Sequence, residues 1–221
     1  MNAVVRNVLL VFAALLPIVN PLGMAPIFAN MTLGYSESIR RTVAMRVAVN
    51  CAGLLVASLF VGSYILQFFG ISLAAVQMGG GLLVTIAGWR ILNQQGDMKE
   101  TQIDSQRSTD RILSLAFYPL TMPLTVGPGS IAVAITLGSN LHEEVRLQLV
   151  VSALAAVIGI LAIGVTIFLC YRFSDKLERL LGANGTSILI RLSAFIVVCI
   201  GVQIMFNGIG DFYHDLLTSP K

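Results

Sequence analysis

The stretch ALLPIVNPLGMAPIF, residues 14–28, decides the fold of this chain together with a second copy of its proline pattern, AFYPLTMPLTVGPGSIA, residues 116–132. Both contain Pro-x3-Pro-Leu-x3-Pro, starting at Pro17 and at Pro119, an offset of 102 residues (119 − 17). Each proline lacks an N–H and crowds the carbonyl four residues earlier, at a cost of about 3 kcal/mol in a helix interior. Carbonyls without a partner are tolerated in a membrane only where protein buries them or a cavity solvates them. The repeated pattern therefore predicts two broken helices that face a cavity.

The composition is that of an integral membrane protein. Of the 221 residues, 56% are hydrophobic and 11% are charged, and the mean hydropathy is +0.85, whereas a soluble domain carries about 25% charged residues. A helix needs about 20 apolar residues to cross the hydrocarbon layer. The uncharged runs of this chain accommodate six such spans, with a turn at 69–72 between the second and the third. The predicted spans are 7–30, 46–68, 71–92, 113–138, 147–171 and 188–210.

Positive charges are concentrated on one side of this six-span arrangement. Eleven Lys and Arg residues lie in or beside the loops after the first, third and fifth spans, and three lie on the opposite side. The side with more Lys and Arg faces the cytoplasm in most membrane proteins. The charge distribution therefore predicts that both termini lie outside the cytoplasm.

The two halves of the chain carry corresponding features. The predicted organisation is a first three-helix repeat at 1–92, a polar cytoplasmic linker at 93–111 and a second three-helix repeat at 112–221. Because each repeat holds an odd number of spans, equivalent segments cross the membrane in opposite directions. Inverted repeats with broken helices in corresponding positions are typical of secondary transporters. We therefore predict an all-α membrane protein with six transmembrane helices in two inverted three-helix repeats, with helices 1 and 4 broken.

A shorter similarity supports the correspondence of the third and sixth spans, since GWRIL at 88–92 resembles GVQIM at 201–205.

Both proline clusters lie near the middle of an uncharged run. We therefore expect the backbone to be unwound at 17–23 and at 119–129, with the two breaks meeting near the bilayer centre. Two packed helices that are only kinked by their prolines are the alternative.

The residues beside the breaks are candidates for binding a solute. Asn20 and Pro21 are typical of a helix start, because Asn is a favoured cap and Pro a favoured first residue. The half-helix that begins there would present N–H groups near Leu22 and Gly23, and such helix ends bind carboxylates. A local cap, for Asn20, and close helix packing, for the glycines, are the alternatives. The predicted substrate-binding residues are Asn20, Pro21, Leu22, Gly23, Thr121, Thr125, Gly127, Pro128 and Gly129, with Asn50 and Gln77 as secondary candidates.

Several kinds of chemistry have no basis in the sequence. No Asp or Glu lies inside a predicted span, so the carboxylate of a membrane proton relay is missing. No catalytic dyad, metal cluster or nucleotide-binding motif is present, so we expect no enzyme activity, no cofactor and no nucleic-acid partner. Cation coupling is left open between sodium and protons. Sodium is favoured because hard cations accept neutral oxygen ligands, and its predicted site lies near Ala13, Pro17, Asn20 and Thr121.

The two proline stretches, LPIVNPLGMAPIFANMT at 16–32 and PLTMPLTVGPGSIAVAIT at 119–136, resemble the signature stretches of the MarC family of bacterial inner-membrane proteins. That family is part of the lysine-exporter-like superfamily. The resemblance extends to FGISLAAVQMGGGLL at 69–83 and to the length and linker of the chain. It implies a multi-pass protein of the bacterial inner membrane, and with the charge distribution both termini would be periplasmic. Some archaeal relatives are regarded as transporters of small neutral amino acids, and this is the activity that the resemblance implies.

Taken together, these features favour a secondary transporter of small neutral solutes that works by alternating access at a mid-membrane site. The expected partners are such a solute, with small neutral amino acids favoured by the resemblance, and the lipid bilayer. An exporter of drugs or hydrophobic compounds is the second hypothesis, although aromatic residues make up only 8% of the chain. A non-transporting membrane scaffold is the third. Oligomeric state, direction of transport and coupling ion are left open.

Overall fold

The computed structural model describes residues 3–93, 109–141 and 146–218. The part of the predicted linker at 94–108 lies outside these ranges. Within them the backbone is helical and contains no strand. Its helices are α1 Ala3–Val19, α2 Pro21–Met31, α3 Glu37–Phe69, α4 Leu73–Asn93, α5 Thr109–Leu115, a π-helix at Ala116–Thr125, α6 Pro128–Leu141, α7 Arg146–Arg172 and α8 Ser174–Thr218.

Six segments account for the predicted spans, and two of them are bent. The first bent pair joins Val4–Val19 to Pro21–Met31 at 44°, and the second joins Ile112–Thr125 to Pro128–Ser139 at 71°. Each pair is long and apolar enough to cross a membrane only when its two helices are counted together. Four other segments meet this requirement alone: Glu37–Phe69, Leu73–Asn93, Gln148–Arg172 and Asn184–Tyr213. The two bends fall in the two proline stretches, as predicted.

The first break is confined to one residue. α1 continues through Pro17 to Val19, and α2 continues through Pro26. Asn20 adopts the left-handed conformation, with φ 46° and ψ 55°, which Asn tolerates better than most residues. Its side-chain oxygen accepts a hydrogen bond from the N–H of Gly23 at 3.2 Å. The prediction that 17–23 is unwound was wrong in extent, because this cap restarts the helix immediately.

The second break is broader and has a different form. α5 leads into the π-helix, in which cis peptide bonds precede Pro119 and Pro123. The hydroxyl of Thr121 donates to the carbonyl of Ala116, five residues back, at 2.6 Å, and Thr125 bonds Leu120 in the same way. These hydroxyls satisfy carbonyls in a segment where prolines remove backbone donors. The segment is not a continuous helix, because Tyr118 (φ −123°, ψ 123°) and Met122 (φ −121°, ψ 125°) have extended backbone angles, and the chain is again non-helical between Thr125 and Pro128. The expected unwinding at 119–129 is therefore present in part.

Small residues bring α4 against α6 and α8. A methyl group added to Gly88 would lie 2.9 Å from the carbonyl oxygen of Ala194, and one on Gly201 would lie 2.7 Å from the carbonyl oxygen of Gly81. On another face of α4, an added methyl on Gly80 would lie 2.5 Å from the Cβ of Ala132 in α6. Such close approach is typical of packed membrane helices. It fixes the face of α4 that is turned towards the second break.

Buried aliphatic side chains hold the centre of the molecule. Leu15 of α1, Leu55 of α3 and Ile163 of α7 are fully buried in one continuous core. The outward surface of the same helices is also apolar, for example at Leu161 and Val165, which are 52% and 57% exposed. A large exposed apolar surface of this kind marks contact with a membrane or another apolar partner.

Candidate functional site

Both breaks line one cavity of about 320 Å3. Residues 18–20 and Met24 form its wall at the first break, and residues 123–125 and 127–130 form it at the second. The expected approach of the two broken helices is therefore confirmed. The rest of the wall comes from one face of α4 and from α8, through Leu83, Val84, Ala87, Arg90, Ile91 and Val197.

Five of the predicted binding residues belong to this wall: Asn20, Thr125, Gly127, Pro128 and Gly129. Thr125 is 2% exposed, and its hydroxyl lies between the Leu120 carbonyl and a neighbouring tyrosine hydroxyl. The second proline stretch thus contributes more of the predicted residues than the first.

The half-helix α2 presents less free backbone than the sequence suggested. The N–H of Gly23 is bonded to the Asn20 side chain, so it is not available to a solute. Leu22 is 48% exposed at the outer surface, and Pro21 is buried. None of Pro21, Leu22 and Gly23 lines the cavity. Asn20 combines the two roles considered for it, since it caps α2 and also forms part of the cavity wall.

Three other predicted residues lie away from the cavity wall. Thr121 is fully buried behind it, with its hydroxyl on the Ala116 carbonyl. Asn50 is half-buried on α3. Gln77 is 6% exposed on α4 near Gly208 of α8, and its side-chain oxygen has no hydrogen-bond partner among the described residues.

The residues proposed for a sodium site are not gathered in the cavity. Of Ala13, Pro17, Asn20 and Thr121, only Asn20 lines it. Ala13 is exposed on the outer face of α1, and Pro17 is half-buried within that helix. A cation in this cavity would therefore need a different set of oxygen ligands.

The three glycines at the breaks have different surroundings. An added methyl on Gly129 would overlap the side chain of Val84 and would lie 3.3 Å from the Gly80 carbonyl oxygen, so Gly129 is a packing residue as well as a wall residue. A methyl on Gly23 would overlap the Asn20 side chain. At Gly127 it would meet only the carbonyl oxygen of Pro123, at 3.4 Å. Gly127 is thus the position where the wall has room.

A buried cluster behind the wall contains a residue that the sequence did not single out. Tyr171 is 2% exposed, its hydroxyl lies 2.7 Å from that of Thr125, and its ring stacks on Phe28 of α2 at 4.6 Å between centroids. Cys51 of α3 is fully buried in the same core as Tyr171. Tyr171 thus touches both broken helices. The sequence carries no local signal for these contacts, because Phe28 and Thr125 lie far from Tyr171 in the chain.

Arg90 is the second residue that the sequence reasoning missed. In the sequence it was used only as one of the eleven basic residues that predict the orientation, but in the fold it lines the cavity. Of the wall residues that the structure describes, it is the only charged one, and none of them carries a carboxylate. The Arg90 side chain makes no hydrogen bond or ion pair with any residue that the structure describes. The spacing of Arg90 from Leu83 and Ala87 puts these three residues on one face of α4. This spacing indicates a cavity residue only when it is known which face of α4 lies towards the breaks.

Comparison with known proteins now decides the family. The profile of the MarC family of integral membrane proteins matches residues 5–213. The chain belongs to this family. Proteins described as "UPF0056 inner membrane protein MarC" from Salmonella paratyphi B (strain ATCC BAA-1250 / SPB7), Citrobacter koseri (strain ATCC BAA-895 / CDC 4225-83 / SGSC4696) and Escherichia coli O1:K1 / APEC are each 30% identical to it over 207 residues, covering 90% of this chain and 94% of the relative. No solved structure was found to match.

Membership of the MarC family confirms the resemblance that the two proline stretches carry. The match spans every predicted transmembrane segment, so the cavity between the breaks lies wholly within the part of the chain that the family defines. The relatives are described as inner membrane proteins, which agrees with the helices of this chain that are long and apolar enough to cross a membrane.

In this MarC-family protein, a polar contact ties one end of the broken helix to the last helix. Arg40 near the start of α3 forms a bidentate ion pair with Asp175 of α8, and its Nη2 lies 2.6 Å from Oδ1. Its Nε donates to the hydroxyl of Thr32 at 3.0 Å, just after α2, and that hydroxyl donates to the Phe28 carbonyl at 2.7 Å. Such two-pronged arginine contacts fix geometry as well as charge. Arg40 therefore holds the end of α2 against the start of α8.

Proposed function

We propose that this MarC-family protein is a secondary transporter of small neutral solutes, with small neutral amino acids favoured, that works by alternating access. One observation carries the proposal: two proline-broken helices line a common cavity of about 320 Å3. Small-molecule sites have volumes of about 300–1,000 Å3, and discontinuous helices around a central site are a feature of secondary transporters. A compact solute suits a cavity at the lower end of that range.

The proposed architecture is two inverted three-helix repeats. Support comes from the contacts between α4 and α8. If residue 88 corresponds to 201, as the GWRIL and GVQIM segments suggest, then 81 corresponds to 194, because both offsets are 113 (201 − 88 and 194 − 81). Under this correspondence, Gly88 is equivalent to Gly201 and Ala194 is equivalent to Gly81. The contact between Gly88 and Ala194 is therefore equivalent to the contact between Gly201 and Gly81, and both contacts are present. A pseudo-two-fold axis between α4 and α8 would produce this reciprocity.

The proposed orientation puts both termini in the periplasm. Under that orientation the Arg90 end of α4 is cytoplasmic, because it belongs to the side with eleven of the fourteen Lys and Arg residues. The cavity extends from the two breaks to Arg90 and Ile91. It would therefore be accessible from the cytoplasm in this conformation. Alternating access then requires a second conformation in which the breaks are reached from the periplasm.

The composition of the cavity wall favours a small solute over a hydrophobic drug. The wall residues in the described part of the chain include no aromatic side chain, whereas drug-sized ligands are held mainly by hydrophobic and aromatic groups. Its polar groups, Asn20, Thr125 and Ser130, lie at the two breaks. A pure scaffold would have no need of a cavity with polar groups at both breaks. The exporter and scaffold hypotheses therefore rank below the transporter.

Transport by the purified protein in liposomes tests the proposal. The assay measures uptake of labelled glycine, alanine and serine, with sodium and proton gradients imposed separately and with empty liposomes as the control. We expect saturable uptake that depends on one of the two gradients. The sodium hypothesis fails if only the proton gradient drives uptake. Failure of all three amino acids to enter, under either gradient, would reject the substrate class.

A further inference from the structure

The cavity has an unbalanced charge at one side of its wall. Among the described residues that line the cavity, Arg90 is the only charged one, and none is Asp or Glu. The guanidinium carries a full positive charge, so this side of the cavity is positive. Within the described part of the chain Arg90 has no ion-pair partner, so its guanidinium offers a positive group to an anion in the cavity.

The rest of the wall contributes only dipoles and neutral groups. Asn20 already uses its side-chain oxygen to cap α2, and Ser130 donates its hydroxyl to the Gly127 carbonyl at 3.0 Å. The N-terminus of α6, which begins at Pro128, also faces the cavity, and its partial charge has the same sign as Arg90. None of the described wall residues provides a full negative charge for an ammonium ion.

We propose that Arg90 determines the specificity of this cavity by binding the carboxylate of the solute. The proposal rests on the transport function proposed above and narrows its substrate class to small carboxylates. A zwitterionic amino acid meets the requirement through its carboxylate. Its amino group is not required, because no carboxylate among the described wall residues is present to pair with it. A 2-hydroxy acid of the same size is therefore a ligand, and an amino acid amide, which lacks the carboxylate, is not.

The experiment is competition against labelled alanine uptake in liposomes, with lactate and alaninamide as the two competitors. Lactate retains the carboxylate and replaces the amine, whereas alaninamide retains the amine and removes the carboxylate. Uptake of labelled alanine by the wild-type protein should be inhibited by lactate and by unlabelled alanine at similar concentrations. Alaninamide should need a concentration about ten- to a hundredfold higher, since one charge-assisted contact is lost. Equal inhibition by lactate and alaninamide overturns the proposal.

Three variants assign the effect to Arg90. Arg90→Gln should raise the KM for alanine about ten- to a hundredfold and remove the preference for lactate over alaninamide. Arg90→Lys should restore most of the preference, because it keeps the charge but not the planar fork. Arg46→Gln removes one positive charge from the same predicted side of the membrane but lies outside the cavity wall, and it should behave as wild type. An unchanged preference in Arg90→Gln rejects the role of Arg90.

A second measurement separates this proposal from the transport function. The thermal stability of detergent-purified protein is measured with alanine, lactate or alaninamide, since a ligand that binds the folded state stabilises it. Stabilisation of the wild type by the two carboxylates, absent in Arg90→Gln, supports the carboxylate site even if no uptake occurs. If liposomes take up alanine but the Arg90→Gln variant keeps the wild-type KM, the transport function stands and the Arg90 proposal fails.

Discussion

The hydroxyl of Thr125 in the second break lies 2.7 Å from the hydroxyl of Tyr171 at the end of α7. The Tyr171 ring also stacks on Phe28 of α2, with ring planes 18° apart. A single buried side chain therefore joins the two broken helices, one through a hydrogen bond and the other through its aromatic face. The position of one break is thereby linked to that of the other.

Tyr171→Phe should destabilise the protein by about 1 kcal/mol, because it removes one buried hydrogen bond and keeps the stacked ring. Tyr171→Ala should cost about 3–5 kcal/mol, since it also leaves a cavity where the ring packs. Thermal unfolding of detergent-purified protein measures both. Tyr213→Phe is the matched control, because Tyr213 is 63% exposed. If Tyr171→Phe unfolds at the wild-type temperature, the Thr125 contact does not stabilise the fold.

The two wall glycines of the second break should respond differently to alanine. Gly129→Ala should destabilise the protein by about 1–3 kcal/mol, as overpacking does, because the methyl overlaps Val84. Gly127→Ala should fold with near wild-type stability, since its methyl meets only the Pro123 carbonyl oxygen. Measurements of unfolding temperature and solute uptake on both variants separate folding from binding.

Larger residues at Gly127 extend that comparison. Gly127→Val and Gly127→Leu should progressively reduce uptake while the unfolding temperature changes little, because the added volume occupies space at the cavity wall. Gly53 is a suitable control position, since an added methyl there has no neighbour within 4 Å and Gly53 does not line the cavity. Full transport by Gly127→Leu would show that solute does not pass this part of the wall.

The Arg40–Asp175 ion pair should contribute to stability in a salt-dependent way. Asp175 is 44% exposed, so solvent screens the pair, and Asp175→Ala should cost about 1 kcal/mol or less. Arg40→Ala should cost about 2 kcal/mol, because it also removes the contacts with Thr32 and Ser174. Unfolding at low and high sodium chloride tests the electrostatic part, which should shrink at high salt. An effect of Asp175→Ala that is independent of salt would contradict this assignment.

The predicted orientation can be tested by labelling. In a variant without the native cysteines, Ser105→Cys should resist a membrane-impermeant thiol reagent in intact cells and react in inverted vesicles. Ser72→Cys, in the exposed turn between α3 and α4, should show the opposite pattern. Reaction of Ser105→Cys from outside intact cells would reverse the assignment of both termini to the periplasm.

The sequence by itself determined where the helices break. Pro17, Pro21, Pro119 and Pro123 remove backbone donors whatever the surroundings, so the positions of the two bends follow from local chemistry. The form of each break did not follow in the same way. A left-handed cap at Asn20 and a π-helix at 116–125 are both compatible with the same proline pattern, and the choice between them depends on the neighbouring helices and hydroxyl groups.

Only the tertiary structure decided which residues form the cavity wall. Asn20 and Gly127 were accessible to sequence reasoning because they belong to the breaks themselves. Arg90 and Tyr171 lie on α4 and α7, in which the apolar residues show no clear periodic face. The face of α4 that meets the second break is set by the close contact of Gly80 with Ala132 and of Gly81 with Gly201. Contacts between residues so far apart in the chain depend on how whole helices pack, which local preferences do not specify.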